Sequence, residues 1–177
     1  MRKSTVVIVA SILLLALSGP VKGQLMKDNP LCKNWNSVVG TWIWEEESRE
    51  KPGAEWVKVT KGRWQASWLF DGAFFQWRGE NENGVNWFHV FAYDTLNKTH
   101  KSAGFTSNGW RWTVTSADWS GTTFTANWID YTPEGLPITG RCVWEYAPDF
   151  NSATTLCDQF TGGTWWTFHR FKGKKEK

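Results

Sequence analysis

The sequence is poor in the residues from which catalytic and metal sites are usually built. Its 177 residues include three histidines and three cysteines. Their spacing is not typical of a zinc site, and no serine or cysteine stands in a pattern typical of a nucleophile activated by histidine and a carboxylate. We therefore predict no metal site, no cofactor and no catalytic residues, and we favour a binding protein over an enzyme.

The sequence also has no net charge once residues 1–23 are left out of the count. Residues 1–23 combine two early cations with an apolar run from Val6 to Leu17 and small residues before Gln24. This is the order of a cleavable secretory signal, and the run is too short for a comfortable membrane span. Its three cations leave with it, so 17 basic residues then balance 17 acidic ones. We predict an exported protein, periplasmic or extracellular, with no nucleic-acid partner and no membrane span after processing.

Export allows disulfides to form. Cys142 and Cys157 flank the turn APDFNS, and a hairpin that pairs Ala147 with Ser152 places the two cysteines face to face. We therefore predict a cross-strand disulfide, which requires Cα atoms no more than ~7 Å apart. Cys32 is then left over, either free or paired with another chain.

The sequence also lacks long stretches with the periodicity of a helix. Only the segment around LCKNWNSVV has a helix-like pattern, and strand-like stretches separated by turn residues recur about every dozen residues after it. Many short, evenly spaced strands predict an all-β protein, here a single up-and-down antiparallel barrel of about 8–10 strands with a short N-terminal helical lead-in. We assign residues 24–37 to the lead-in, 38–172 to the barrel and 173–177 to a charged tail. The short strands and the charged end favour a soluble barrel over an outer-membrane one.

Tryptophan, in contrast, is abundant: all 15 follow residue 23. Alternation along the strands collects bulky side chains on one face. These indoles could fill the core, line a pocket for an apolar or aromatic molecule, or form an exposed platform for sugar rings. We predict a pocket, and its candidate residues lie on the bulky stripes: Trp87, His89, Phe91, Trp110, Trp112, Phe124 and Trp128.

The polar candidates leave alternatives open. His89 stands in the run VNWFHVFAY, both faces of which are apolar, so it is either a ligand-facing residue or a bonded wall residue. His100 follows a turn and is expected to be solvated. The carboxylates at 45–47 follow the first strand and are expected to form a solvated rim. The alternative functions are an enzyme that uses His89 and a glycan-binding surface built on exposed Trp residues such as Trp56, Trp119 and Trp165.

The triplet Gly40-Thr41-Trp42 resembles the G-x-W start of lipocalin-like, or calycin, barrels. In calycins an arginine on the last strand often covers this tryptophan at the closed end, so the resemblance implies structural roles for Trp42 and Arg170.

The stretch from DGAFFQWRGE to TTFTANW is similar to a calycin-like domain family of exported proteins without a characterised activity. The matching positions are Tyr93-Asp94, Ser107, Gly109 and Gly121-Thr122. Nitrobindin-type haem barrels resemble the chain at G-x-W, but their following glycines and Tyr-Pro are missing from TWIWEEES. We therefore expect no haem.

Overall fold

Ten antiparallel strands form one closed barrel. The computed structural model describes residues 25–176, without the side chains of residues 58 and 59, so the predicted signal segment lies outside the described residues. Each strand pairs with the next along the chain, and the last closes on the first. This confirms the predicted up-and-down barrel. The strands are β1 Gly40–Ser48, β2 Val57–Leu69, β3 Phe74–Asn81, β4 Asn86–Asp94, β5 Thr99–Thr106, β6 Arg111–Ser120, β7 Thr123–Tyr131, β8 Pro137–Tyr146, β9 Ser152–Thr161 and β10 Thr164–Lys175.

The last strand is longer than the sequence suggested. β10 continues to Lys175, and Gly173 and Lys175 pair with Trp44 and Trp42 of β1. The segment predicted as a charged tail from residue 173 is therefore mostly paired strand. The extension satisfies backbone groups of β1, which would otherwise lie on an open sheet edge.

A short N-terminal segment closes one end of the barrel. It comprises two 3-10 helices, Met26–Asp28 and Pro30–Cys32, and helix α1, Asn34–Val38. Trp35 of α1 has no exposed surface, and its ring centroid lies 4.5, 4.8 and 4.9 Å from those of Phe75, Phe91 and Phe124. We call this the closed end. The opposite end, formed by the loops after β1, β3, β5, β7 and β9, is called the open end.

The disulfide prediction is confirmed. Cys142 of β8 and Cys157 of β9 are direct cross-strand partners, bonded to each other with Cα atoms 4.1 Å apart. Cys32 is free and buried, and its Sγ lies 3.5 Å from Nε2 of His100. The expectation of a solvated His100 is wrong, because strand alternation turns it inward and the N-terminal segment covers it. Only 1% of its surface is exposed, and its Nδ1 lies 3.0 Å from the carbonyl oxygen of Ala117.

The contact implied by the calycin resemblance is made by a different residue. The register of β1 and β10 places Arg170 opposite Glu47, on the outer face, where its Nε donates to the Glu47 carboxylate at 2.5 Å. Trp42 pairs instead with Lys175, whose Nζ lies 5.9 Å from its ring. Trp42 itself is fully buried and stacks on Trp64 at 5.1 Å. The covering role predicted for Arg170 is therefore wrong.

Candidate functional site at the open end

Four inward-facing tryptophans each stand directly opposite a glycine of the neighbouring strand. The hairpins β1–β2, β3–β4, β5–β6 and β7–β8 contribute one such pair each, and we call the set the tryptophan–glycine ring. Its members are Trp44–Gly62, Trp87–Gly79, Trp112–Gly104 and Trp128–Gly140.

The glycines of the ring are required for space. A Cβ atom on Gly62, Gly79, Gly104 or Gly140 would lie 2.9, 2.7, 2.3 or 2.0 Å from the opposing indole, closer than van der Waals contact allows. None of the four has a positive φ, so their backbone conformations do not demand glycine. Each indole therefore lies against the backbone of the adjacent strand, in the space that a side chain would otherwise fill.

Two members of the ring carry buried hydrogen-bond donors. Trp44 and Trp128 are 8% and 7% exposed, and their indole N–H groups have no acceptor among the described residues. A buried donor without an acceptor costs about 1–3 kcal/mol. An acceptor atom brought in by a bound molecule would remove this cost.

Polar side chains lie close to the ring, nearer the open end. Glu46 follows Trp42 and Trp44 in strand alternation, is 9% exposed and accepts from Nδ1 of His169 at 2.8 Å. The expectation that this carboxylate forms part of a solvated rim is therefore wrong. Asp130 follows Trp128 by two residues and is the register partner of Trp112. Glu46, His169 and Asp130 are called the mouth cluster.

The carboxyl group of Asp130 lies in an environment that disfavours its charge. Burial raises its pKa to about 6, against the lowering effects of the backbone N–H of Tyr131 and of His169. The Tyr131 N–H donates to Oδ1 of Asp130 at 2.9 Å. At neutral pH the group is still mostly ionised, but its charge costs more free energy in this half-buried site than it would in water.

Aromatic rings flank the mouth cluster on both sides. Phe168 lies 6.0 Å from Trp128 and 4.3 Å from His169, and Phe171 lies 5.8 Å from His169 and 5.9 Å from Trp44, all between ring centroids. The pairing of β10 with β9 shifts by one residue between Thr167 and His169, a bulge that brings Phe168 and His169 to the same surface. Aromatic faces therefore run from β7 through β10 to β1.

The structure separates the predicted ligand-binding residues into two groups. Trp87, Trp112 and Trp128 belong to the tryptophan–glycine ring, and Trp110 lies at the open end in the turn before β6. Phe91 and Phe124 are fully buried and packed against Trp35, so they belong to the core of the closed end. Strand alternation predicts that these residues face inward, but it does not show whether they lie at the closed end or at the open end of the barrel.

His89 points inward, as do its strand neighbours Trp87 and Phe91. It is 5% exposed, and its Nε2 lies 2.6 Å from Oγ of Ser102. Burial lowers its pKa to about 3, so the imidazole is neutral near pH 7. Its ring centroid lies 5.3 Å from that of Trp112. His89 is thus a bonded wall residue next to the ring, and its low basicity does not favour a role as catalytic base.

The three tryptophans proposed for a sugar platform do not share one surface. Trp119 packs in the core, 5.2 Å from Trp35 and 4.9 Å from Phe124. Trp56 lies beneath the guanidinium of Arg49 at 4.8 Å. Trp165 alone of the three is exposed, at 51%. The predicted platform of Trp56, Trp119 and Trp165 is therefore wrong as a single site.

Comparison with known proteins supports the fold and adds no function. No family model and no curated protein matches the sequence. The structure is similar to the crystal structure of Rv2717c from M. tuberculosis, with a TM-score of 0.59 and 7% sequence identity over 87% of this chain and 100% of that chain. At this identity the similarity shows the barrel fold alone.

Two further features of the described residues bear on the site. Within residues 25–176, no three side chains of His, Cys, Asp or Glu are placed to share a metal ion. No helix in that range has the length and hydropathy needed to cross a bilayer.

Proposed function

We propose that this barrel binds a small apolar or aromatic molecule, which enters at the open end and lies against the tryptophan–glycine ring. The observation that carries the proposal is the replacement of four inward-facing side chains by hydrogen, each opposite an indole. This arrangement holds large flat apolar faces along the wall. Such faces, with a few convergent polar groups, are typical of small-molecule sites.

Burial supplies the main driving force. A ligand that covers 150–250 Å² of apolar surface, about the area of one aromatic side chain, would gain about 4–6 kcal/mol before the costs of ordering. The unpartnered N–H groups of Trp44 and Trp128 add a requirement, since they favour a ligand with at least one hydrogen-bond acceptor.

We also propose that the protein acts after export. The disulfide between Cys142 and Cys157 supports this location, because structural disulfides are typical of exported proteins and rare in the cytosol.

The first test is a native mass spectrum of the protein recovered from its own host, compared with the mass after denaturation. We expect a stoichiometric excess mass that disappears on denaturation. Equal native and denatured masses would contradict the proposal.

A pair of glycine variants ties such a ligand to the ring. In Gly104→Ala the new methyl group would overlap the Trp112 indole and push it into the lumen, so we expect the excess mass to be lost. In Gly173→Ala the methyl group meets Trp42 at an ordinary 3.5 Å, so the excess mass should remain. A ligand retained equally by both variants would show that it binds elsewhere.

A further inference from the structure

We propose that the open-end site takes organic amines, with the protonated nitrogen between Glu46 and Asp130, an acceptor oxygen facing Trp44 or Trp128, and an apolar body on the indole faces. This inference rests on the proposed function and specifies the chemistry of its ligand.

The charges of the mouth cluster do not balance. Two carboxylates and one imidazole make it up, so even with His169 protonated one negative charge remains. The neighbouring cations are engaged elsewhere. Nε of Arg49 donates to the carbonyl oxygen of Thr167 at 2.5 Å, and Arg170 lies on the outer face against Glu47.

Aromatic rings lie next to the mouth cluster. His169 contacts the rings of Phe171 and Phe168, and these in turn contact Trp44 and Trp128. The face of an aromatic ring attracts a cation, indole most strongly, and this attraction grows to about 2 kcal/mol when water is excluded. Carboxylates beside indole faces thus favour an ammonium group over a neutral or anionic one.

Two buried indole N–H groups add a requirement that does not depend on charge. Trp44 and Trp128 are more than nine-tenths buried, and each stands two residues from a mouth carboxylate on the same inward face of its strand. Their unpartnered N–H groups therefore call for an acceptor close to the cation. An amine that also carries a hydroxyl or ether oxygen meets both requirements.

Asp130 supports the same conclusion. Its half-buried carboxyl group is costly to ionise in the free protein, as the raised pKa shows. A cation bound beside it would recover that cost, whereas a neutral ligand would not.

The experiment compares three molecules that share a phenyl ring and a hydroxyl-bearing carbon: 2-amino-1-phenylethanol, 1-phenylethane-1,2-diol and mandelate. Isothermal titration calorimetry at pH 8 and low salt gives their affinities for the mature protein. We expect the amine to bind at least tenfold more tightly than the diol, and mandelate to bind most weakly. Added salt should weaken the amine more than the diol.

Two variants assign the charge preference to the mouth cluster. Glu46→Gln and Asp130→Asn should each reduce the ratio of amine to diol affinity to below threefold. Asp130→Asn removes a costly charge and is expected to fold, so the test does not depend on Glu46→Gln alone. The control is Asp71→Asn in the exposed turn between β2 and β3, which should keep the wild-type ratio.

The outcomes separate the two proposals. If the diol binds as tightly as the amine, or if Asp130→Asn keeps the tenfold ratio, the amine inference is overturned while the ligand site stands. If mandelate binds most tightly, the indole N–H groups select an anion and the inference is likewise overturned. If none of the three binds the wild-type protein while its native mass shows a bound ligand, the amine inference is overturned and the ligand site stands; if the native mass shows no ligand either, the proposed function is contradicted as well.

Discussion

Replacing Gly140 by alanine tests whether the indole of Trp128 packs directly against the backbone of this glycine. The new Cβ would lie 2.0 Å from Cζ2 of Trp128, which is 7% exposed. Ordinary carbon contacts require about 3.5–4.0 Å, so the indole must move by about 1.5 Å. If the ring repacks nearby, overpacking costs about 1–3 kcal/mol. If the indole is expelled from its place, the loss of its buried area costs about 4–6 kcal/mol.

The assay is urea unfolding of Gly140→Ala and of the matched control Gly173→Ala, followed by circular dichroism. At Gly173 the nearest contact of a new Cβ is an ordinary 3.5 Å, so we expect a change within about 0.5 kcal/mol. We expect Gly140→Ala to lose at least about 2 kcal/mol more than this control. Equal free energies of unfolding for the two variants would refute the claim that the indole is packed directly against the glycine.

Three other perturbations have defined outcomes. For Asp130, the folded pKa of about 6 exceeds the ordinary 3.8, so its contribution to the stability of the folded state is fully present below pH 4 and is lost as the pH rises through 6. Urea unfolding should therefore show Asp130→Asn gaining stability over wild type from pH 4 to 8. A constant difference between the two proteins would contradict the raised pKa of Asp130. Reducing the Cys142–Cys157 disulfide, with a sequence separation of 15, should lower the urea-unfolding free energy by about 3 kcal/mol, and an unchanged midpoint would contradict a structural role. Trp35→Ala should lose about 3–5 kcal/mol by the same measurement, and a loss below 1 would show that the N-terminal segment is not anchored by this indole.

The sequence predicted the barrel, the helical lead-in and the disulfide because each depends on local information. Turn residues mark the strand ends, and the register of the hairpin that links β8 and β9 follows from its turn, so Cys142 and Cys157 could be aligned by position alone. The alternation of β1 could also have revealed Glu46, since Trp42 and Trp44 share its parity. It was missed because a run of three glutamates has the usual composition of a solvated edge.

The mouth cluster as a whole could not be predicted from local patterns. His169 meets Glu46 only because β10 closes on β1, a contact between residues 123 positions apart whose register depends on barrel closure and on the bulge after Thr167. The role of Arg170 was wrong for the same reason, because the register between β1 and β10 could not be predicted. Arg170 pairs with Glu47, and the partner of Trp42 is Lys175, five residues further along β10. His100 was misjudged because the segment that buries it lies more than sixty residues earlier.

Side chains alternate between inward and outward positions along the whole length of each strand. The two ends of the barrel differ in the groups that the inward side chains contact. At the closed end the indole of Trp35 fills the centre, and Phe91 and Phe124 lose all exposure against it. At the open end glycines hold the indoles against the wall, and a carboxylate-rich cluster lies inside. The half-buried charge of this cluster reduces stability, whereas the disulfide and the aromatic core increase it. A barrel selected for stability alone would extend the packing of the closed end through its whole length, so the composition of the open end supports the proposed binding site.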